Sequence, residues 1–167
     1  MSKLYLAMGL ALVAMFVAAG AVFAAVTFDP ATGKGFVGKG DVQTTLGLNN
    51  AQLQAQAGSL KFTAVSTSTT TWTCSRPAPT PNDPNREITQ GRSTETTTQG
   101  IVSKVDRVRN QINGFILDEY SGTRTVTTDG PAVGTCPASP SGFTLDEGSQ
   151  QTAAGSTHLY VNGVLLQ

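Results

Sequence analysis

The 167-residue chain is short of nearly everything that active-site chemistry is built from. It holds one histidine, one tryptophan and two cysteines, and charged residues make up only 13% of it, with 11 basic and 11 acidic side chains cancelling. Balanced charge, with no segment that concentrates Lys and Arg, removes the usual argument for a nucleic-acid partner or for adhesion to an anionic membrane. The local exception, Lys104 with Arg107 and Arg109, reads as a solvated hairpin tip. The lone His158 sits in no motif, and no nucleophile elbow accompanies it, which argues against Ser-His-Asp chemistry. Two cysteines and a distant histidine give no close pair of metal ligands. No Asn-x-Ser/Thr sequon occurs, so N-linked sugar at that signal is not a candidate, although O-linked sugar on threonine is. Nothing in the chain calls for a cofactor.

Two patterns look like chemistry and lack its context. Residues 33–40, GKGFVGKG, match the dinucleotide fingerprint at Gly33, Gly35 and Gly38, and nearly match a phosphate loop. No βαβ unit surrounds the first match, and Gly40 stands where the second needs a magnesium-binding hydroxyl, so the stretch reads as a glycine loop leading into a helix. The acids Asp118 with Glu119 and Asp146 with Glu147 would supply a glycosidase-like carboxylate pair. Adjacent residues on a strand point to opposite faces, so only one acid of each pair faces any one cleft.

What is abundant is threonine, set in alternation. Residues 60–74, LKFTAVSTSTTTWTC, read as one long β-strand with Leu60, Phe62, Ala64, Trp72 and Cys74 on one face and Thr63, Val65, Thr67, Thr69, Thr71 and Thr73 on the other. The first face carries a core and the second is a threonine ladder. Before this strand, two short helices are expected. Asp41 caps the first, with Val42 and Leu46 a turn apart and Gly47 closing it. Asn50 caps the second, with Leu53 and Ala57 facing inward and Gly58 ending it.

After the strand, the proline-rich residues 75–85 form an exposed loop, and the polar residues 86–99 an edge strand beside the threonine ladder. Residues 101–120 are read as a hairpin with its turn in DRVRNQ, and Gly122 turns the chain into a further strand that ends at Asp129. Residues 149–156 show no pattern and are read as loop. At the C-terminus, Asn162-Gly163 between apolar runs is the strongest hairpin signal in the chain.

The N-terminus carries Lys3 and then an uncharged apolar run to Val26 that ends in small residues, which is the layout of an export signal. Val22 and Ala24 favour cleavage after Ala24, leaving residues 25–167 as a single β-rich extracellular domain. The alternative is a retained anchor, because the run is long enough to span a bilayer as a helix. In an exported chain a Cys74–Cys136 disulfide is the default state.

The stretch GFVGKGDVQ followed by LNNAQLQ, residues 35–54, and the strand ending in WTC resemble exported bacterial proteins of no known function that share this opening. That resemblance spans about the first half of the mature chain and implies no activity. LYVNGVLL, residues 159–166, is similar to a hairpin of concanavalin-like lectin and laminin-G-like jelly rolls, a match too short to bring binding residues with it.

These readings converge on a mainly β domain, an antiparallel sandwich or partly open barrel with two short N-terminal helices and one disulfide. The function expected is non-enzymatic binding or assembly at the cell surface or in the medium, with a polysaccharide or another envelope protein as partner and Trp72 and Tyr160 as candidate ligand-face residues. A small secreted hydrolase with a carboxylate pair and a membrane-anchored surface subunit are the alternatives.

Overall fold

The long alternating strand is the axis of the fold. In the computed structural model, which describes residues 26–78 and 85–166, β3 runs Phe62–Arg76 and buries Phe62, Ala64, Trp72 and Cys74 on one face. The export signal and its anchor alternative lie outside the described residues, as does the middle of the 75–85 loop.

Around β3 the chain lays β1 (Thr27–Asp29), β2 (Lys34–Gly38), α1 (Lys39–Leu46) and α2 (Asn50–Gln56) before it. After it come β4 (Glu87–Val108), β5 (Gln111–Asp129), β6 (Thr144–Leu145), β7 (Gln151–Val161) and β8 (Val164–Leu165). All strand pairs are antiparallel, and the sheet has the order β1-β2-β5-β4-β3-β7-β8, with β6 laid on β3. The sheet does not close on itself and forms a half-barrel, the partly open arrangement of the two expected.

The helices pack on one face of the lower half of this sheet, here called the core-side face. Val42, Leu53 and Ala57 from the helical segment meet Val37, Phe62, Ile112, Phe115, Leu117, Leu159 and Val161 from the strands. The Phe62 and Phe115 rings stand 5.5 Å apart in a tilted pair. Neither helix is long enough to persist alone, so it is this apolar contact that holds them. Among the described residues, no helix is long and apolar enough to cross a membrane.

Several expectations need correction, each for a local reason. Residues 33–40 are not a loop, because β2 occupies Lys34–Gly38 between β1 and β5. The glycines serve close packing: a Cβ on Gly35 would lie 2.0 Å from the Thr27 carbonyl oxygen. Helix α1 starts two residues before Asp41, with extended Gly38 as its N-cap, which leaves Asp41 in the first turn where a negative charge suits the helix dipole. Helix α2 is capped by Asn49, whose side chain accepts from the Gln52 N–H at 2.9 Å while the Gln52 side chain accepts from the Asn49 N–H. Replacing Asn49 with Ala is therefore expected to cost about 1 kcal/mol by chemical denaturation. A Ser replacement, which retains a capping oxygen, should recover most of it.

The strand at 86–99 is an edge only over Glu87–Ser93, because β5 runs on past Gly122 to Asp129 and covers Thr94–Gln99 from the other side. Gly122 and its neighbours form an irregularity in β5, where Gln99 pairs with Arg124 but Ile101 with Tyr120, so a turn signal was spent on a bulge. The β4–β5 turn is tighter than DRVRNQ, with Arg109 and Asn110 at φ 51° and 65° forming a two-residue connection. Residues 149–156 are not loop throughout, because from Gln151 onward they belong to β7. Their pattern is hidden by a bulge near Gly155, where a Cβ would lie 2.3 Å from Thr67 Oγ1. The Asn162-Gly163 hairpin is present between β7 and β8, with both residues at positive φ.

Candidate binding surface

Beyond the helices, the upper half of the sheet is four strands wide in the order β5-β4-β3-β7. Its two faces are built differently. At the far end of the core-side face, residues from 131 on fold over β3, tied down by the Cys74–Cys136 disulfide, before β6 and the residues after it run alongside β3 in the sheet. Trp72 lies beneath them, 1% exposed, its indole N–H donating to the Thr135 carbonyl at 3.0 Å. Only Gly91 leaves room for the ring, since a Cβ there would sit 2.1 Å from Trp72 Cε2. Ionic contacts fasten the same segment: Arg86 reaches Asp146 at 3.1 Å, Ser75 donates to Asp146, and Arg76 pairs with Glu87 and stacks 4.8 Å from the Phe143 ring.

Between this cover and the helices lies a polar saddle floored by Ser66, Ser68 and Thr70 of β3 with Glu95 and Thr97 of β4. The Arg124 guanidinium spans it, 4.0 Å from Glu95 and 3.5 Å from Thr97 Oγ1.

The opposite face is the threonine ladder, and here strand register multiplies it. Thr67 stands opposite Thr96, which stands opposite Thr127. Val65 is followed in the same way by Thr98 and Thr125, and Thr69 by Thr94 and Asp129. Successive rows on one face are about 6.6 Å apart along the strands and neighbours about 4.8 Å apart across them. None of these side chains is buried. The ladder ends in a shallow cleft of ≈ 230 Å³ lined by Thr71, Trp72, Thr73, Gln90, Ser149 and Gln151. A second cleft of ≈ 290 Å³ lies between α2 and β5, lined by Lys39, Asn50, Leu53, Gln54, Gln111 and Ile112 among others. Both fall at or below the small end of ligand pockets.

Trp72 and Tyr160, the candidate ligand-face residues, are not brought together. Trp72 is sealed under the 131–150 segment on the core-side face. Tyr160 is half-buried beside Thr63 on the ladder face.

The acids are separated too. Asp118 pairs with Lys104, which holds its carboxyl below the usual range by hydrogen bond and charge and raises the lysine in return. Asp146 sits near the opposite end of β3 with Arg86. Asp29 is held low by the Thr32 hydroxyl and the Ala31 N–H. Tyr120, which donates to the Pro30 carbonyl at 2.7 Å, is raised by burial and then by the Asp29 charge. These are turn and strand fastenings, not acid–base pairs.

His158 is exposed, and its Nε2 lies 2.8 Å from the Ser156 hydroxyl. Among the described residues no group of three or more His, Cys, Asp or Glu side chains is placed to hold a metal ion.

The three-strand depth of the threonine array was missed from sequence, although TETTT in β4 and TRTVTT in β5 repeat the alternation of β3 and were signal enough to find it. No family model matches the chain, and no match was found among curated proteins or solved structures.

Proposed function

We propose that this is an exported, non-enzymatic envelope or extracellular domain that acts by binding, with a polysaccharide as the ligand class and the threonine face of β3, β4 and β5 as its contact surface. The observation that carries the reading is the run of in-register rows through Thr67, Thr96 and Thr127. It presents adjacent hydroxyls and methyls over three strands without a buried charge or an intervening loop. Hydroxyls both donate and accept, as sugar hydroxyls do, and the β-branched methyls offer apolar patches to sugar ring faces. Threonines on strands already have restricted rotamers, so holding them against a ligand costs little further entropy. The Cys74–Cys136 bond fits an oxidising compartment. The apolar N-terminus and the resemblance to exported bacterial proteins point the same way.

The test is co-sedimentation with insoluble peptidoglycan, cellulose and chitin, using the native protein and a variant carrying Thr67→Val, Thr96→Val and Thr127→Val. Valine retains shape and strand preference while removing the hydroxyls. The native protein should be retained on at least one polymer, and the variant should bind at least tenfold more weakly. No retention on any polymer, equal retention of the variant, or release of reducing sugar by the native protein would sink the proposal. N-terminal sequencing of the secreted species should begin at Ala25; a full-length chain confined to membranes would favour an anchored subunit instead.

A further inference from the structure

The sheet's upper half ends in two bare strand edges. On the β5 side, β2 pairs only with residues 114–117, and the β1–β2 turn lies against Tyr120, so residues 122–129 have no strand beyond them and all are exposed. On the β7 side, β8 pairs only with Tyr160 and Val161, so among the described residues 151–158 have none either.

Exposed strand edges are templates for pairing, and natural sheets blunt them with lysine, proline or inward charge. Residues 151–157, QTAAGST, carry none of these, and residues 122–129 carry Arg124, which is turned to Glu95, and Asp129 at the end. Val126, 45% exposed, is the one sizeable apolar side chain of that edge, and it lies on the core-side face in register with Thr97.

The two edges fit one another. They run antiparallel, since three antiparallel pairings separate β5 from β7. They are also level: Asp129 and Ala153 share a row through Thr94 and Thr69, and Thr125 and His158 share one through Thr98 and Val65. A copy turned about a two-fold axis along the strands would therefore set its β7 antiparallel against this β5, and its β5 against this β7, with no unpaired edge left between them.

A single strand junction is small against the roughly 1,200–2,000 Å² buried by specific complexes, and the two-fold arrangement makes the junction twice. Eight strands enclose a space that side chains alone can fill. Here that space would be lined by the small side chains Ser66, Ser68, Thr97 and Ala154 and by Val126, with the Arg124–Glu95 pair of each copy enclosed as mutually neutralising charges. We propose that two copies of this chain pair in this way, β5 of each against β7 of the other, closing the upper half of the sheet into a barrel with four strands from each copy.

The proposal concerns edges and not the threonine face, so it stands or falls apart from polysaccharide binding. Its test places like charges on both edges at exposed core-side positions: Val126→Lys with Ala154→Lys in one variant, and Val126→Glu with Ala154→Glu in another. Sedimentation equilibrium on the native protein should show a species of twice the chain mass at micromolar concentration. Each charged variant alone should dissociate at least tenfold more readily, and an equimolar mixture of the two should recover the paired species.

A native protein that stays monomeric throughout, charged variants that pair as the native chain does, or mass that grows without limit would each overturn the closed pair. So would a monomer that instead captures an added threonine-rich peptide in extended form. The charged variants leave Thr67, Thr96 and Thr127 in place, so their retention on polysaccharide reports on the ligand face independently of the pairing.

Discussion

Removing the Cys74–Cys136 bond is expected to cost about 4 kcal/mol, because it closes a loop of 62 residues and the chain-entropy contribution grows with the logarithm of that length. For a domain of this size the loss corresponds to a fall in Tm of roughly 10 °C or more. The consequence is large because the bond holds down the segment that seals Trp72. Without it, residues 131–150 retain the Trp72–Thr135 hydrogen bond and the Arg86–Asp146 and Ser75–Asp146 contacts, all at one end of β3. Such contacts contribute about 1 kcal/mol each and lose their preorganisation when the covalent tie is gone. The measurement is guanidinium denaturation of the native protein beside Cys74→Ala with Cys136→Ala, followed by the fluorescence of the single tryptophan. A red shift before the main transition would mark release of the segment, and a stability loss below about 1 kcal/mol would contradict this account of the bond.

The second large effect concerns the ring itself. Trp72→Ala should destabilise by about 3–5 kcal/mol, the range for deleting a large buried aromatic side chain. Gly91→Ala should cost about 1–3 kcal/mol by overpacking, since its new Cβ would fall within the indole and the ring cannot retreat from beneath the disulfide segment. The two are predicted to be strongly non-additive. In the Trp72→Ala background the methyl at position 91 enters vacated space, so Gly91→Ala should be close to neutral there. A double-mutant cycle measures the coupling, and additivity within about 0.5 kcal/mol would show that the pair does not pack as described.

How much of this was readable in advance depended on whether local pattern and tertiary demand agreed. At β3 they agreed: alternation named the buried face correctly at Phe62, Ala64, Trp72 and Cys74, and the cysteine pairing followed. At α2 they nearly agreed, with the cap one residue from its expected place. They parted wherever glycine had two meanings. Gly122 and Gly155 look like breaks in a one-dimensional reading, but both sit in strands at irregularities that face other strands, Gly100 of β4 and Thr67 of β3. The same ambiguity turned β2 into a loop.

The candidate surface was legible as one threonine ladder. Its width was not, because register across β4 and β5 depends on the tight Arg109-Asn110 turn and on three register shifts between it and the ladder, and a slip of one residue would have placed all the ladder threonines of β5 on the other face. Trp72 illustrates a further limit. A lone tryptophan on an alternating strand is equally compatible with a sugar platform and with a plug, and what decides is the 131–150 segment, which carries no periodic signal of its own.

The order of strands also governs how the chain assembles in time. β3, β4 and β5 are consecutive antiparallel neighbours, so their pairing requires only short closures and forms a meander that does not wait for the C-terminus. β7 is different: it docks on β3 across the whole meander, its Val161 opposite Phe62, and is synthesised only after the meander is complete. Until it arrives, the central strand has one naked side and Phe62, Ala64 and Leu53 lack the cover of Leu159 and Val161. The slow and vulnerable interval in the life of this protein is therefore the one between emergence of the meander and capture of β7, and a chain that lacks β7 is expected to aggregate through β3.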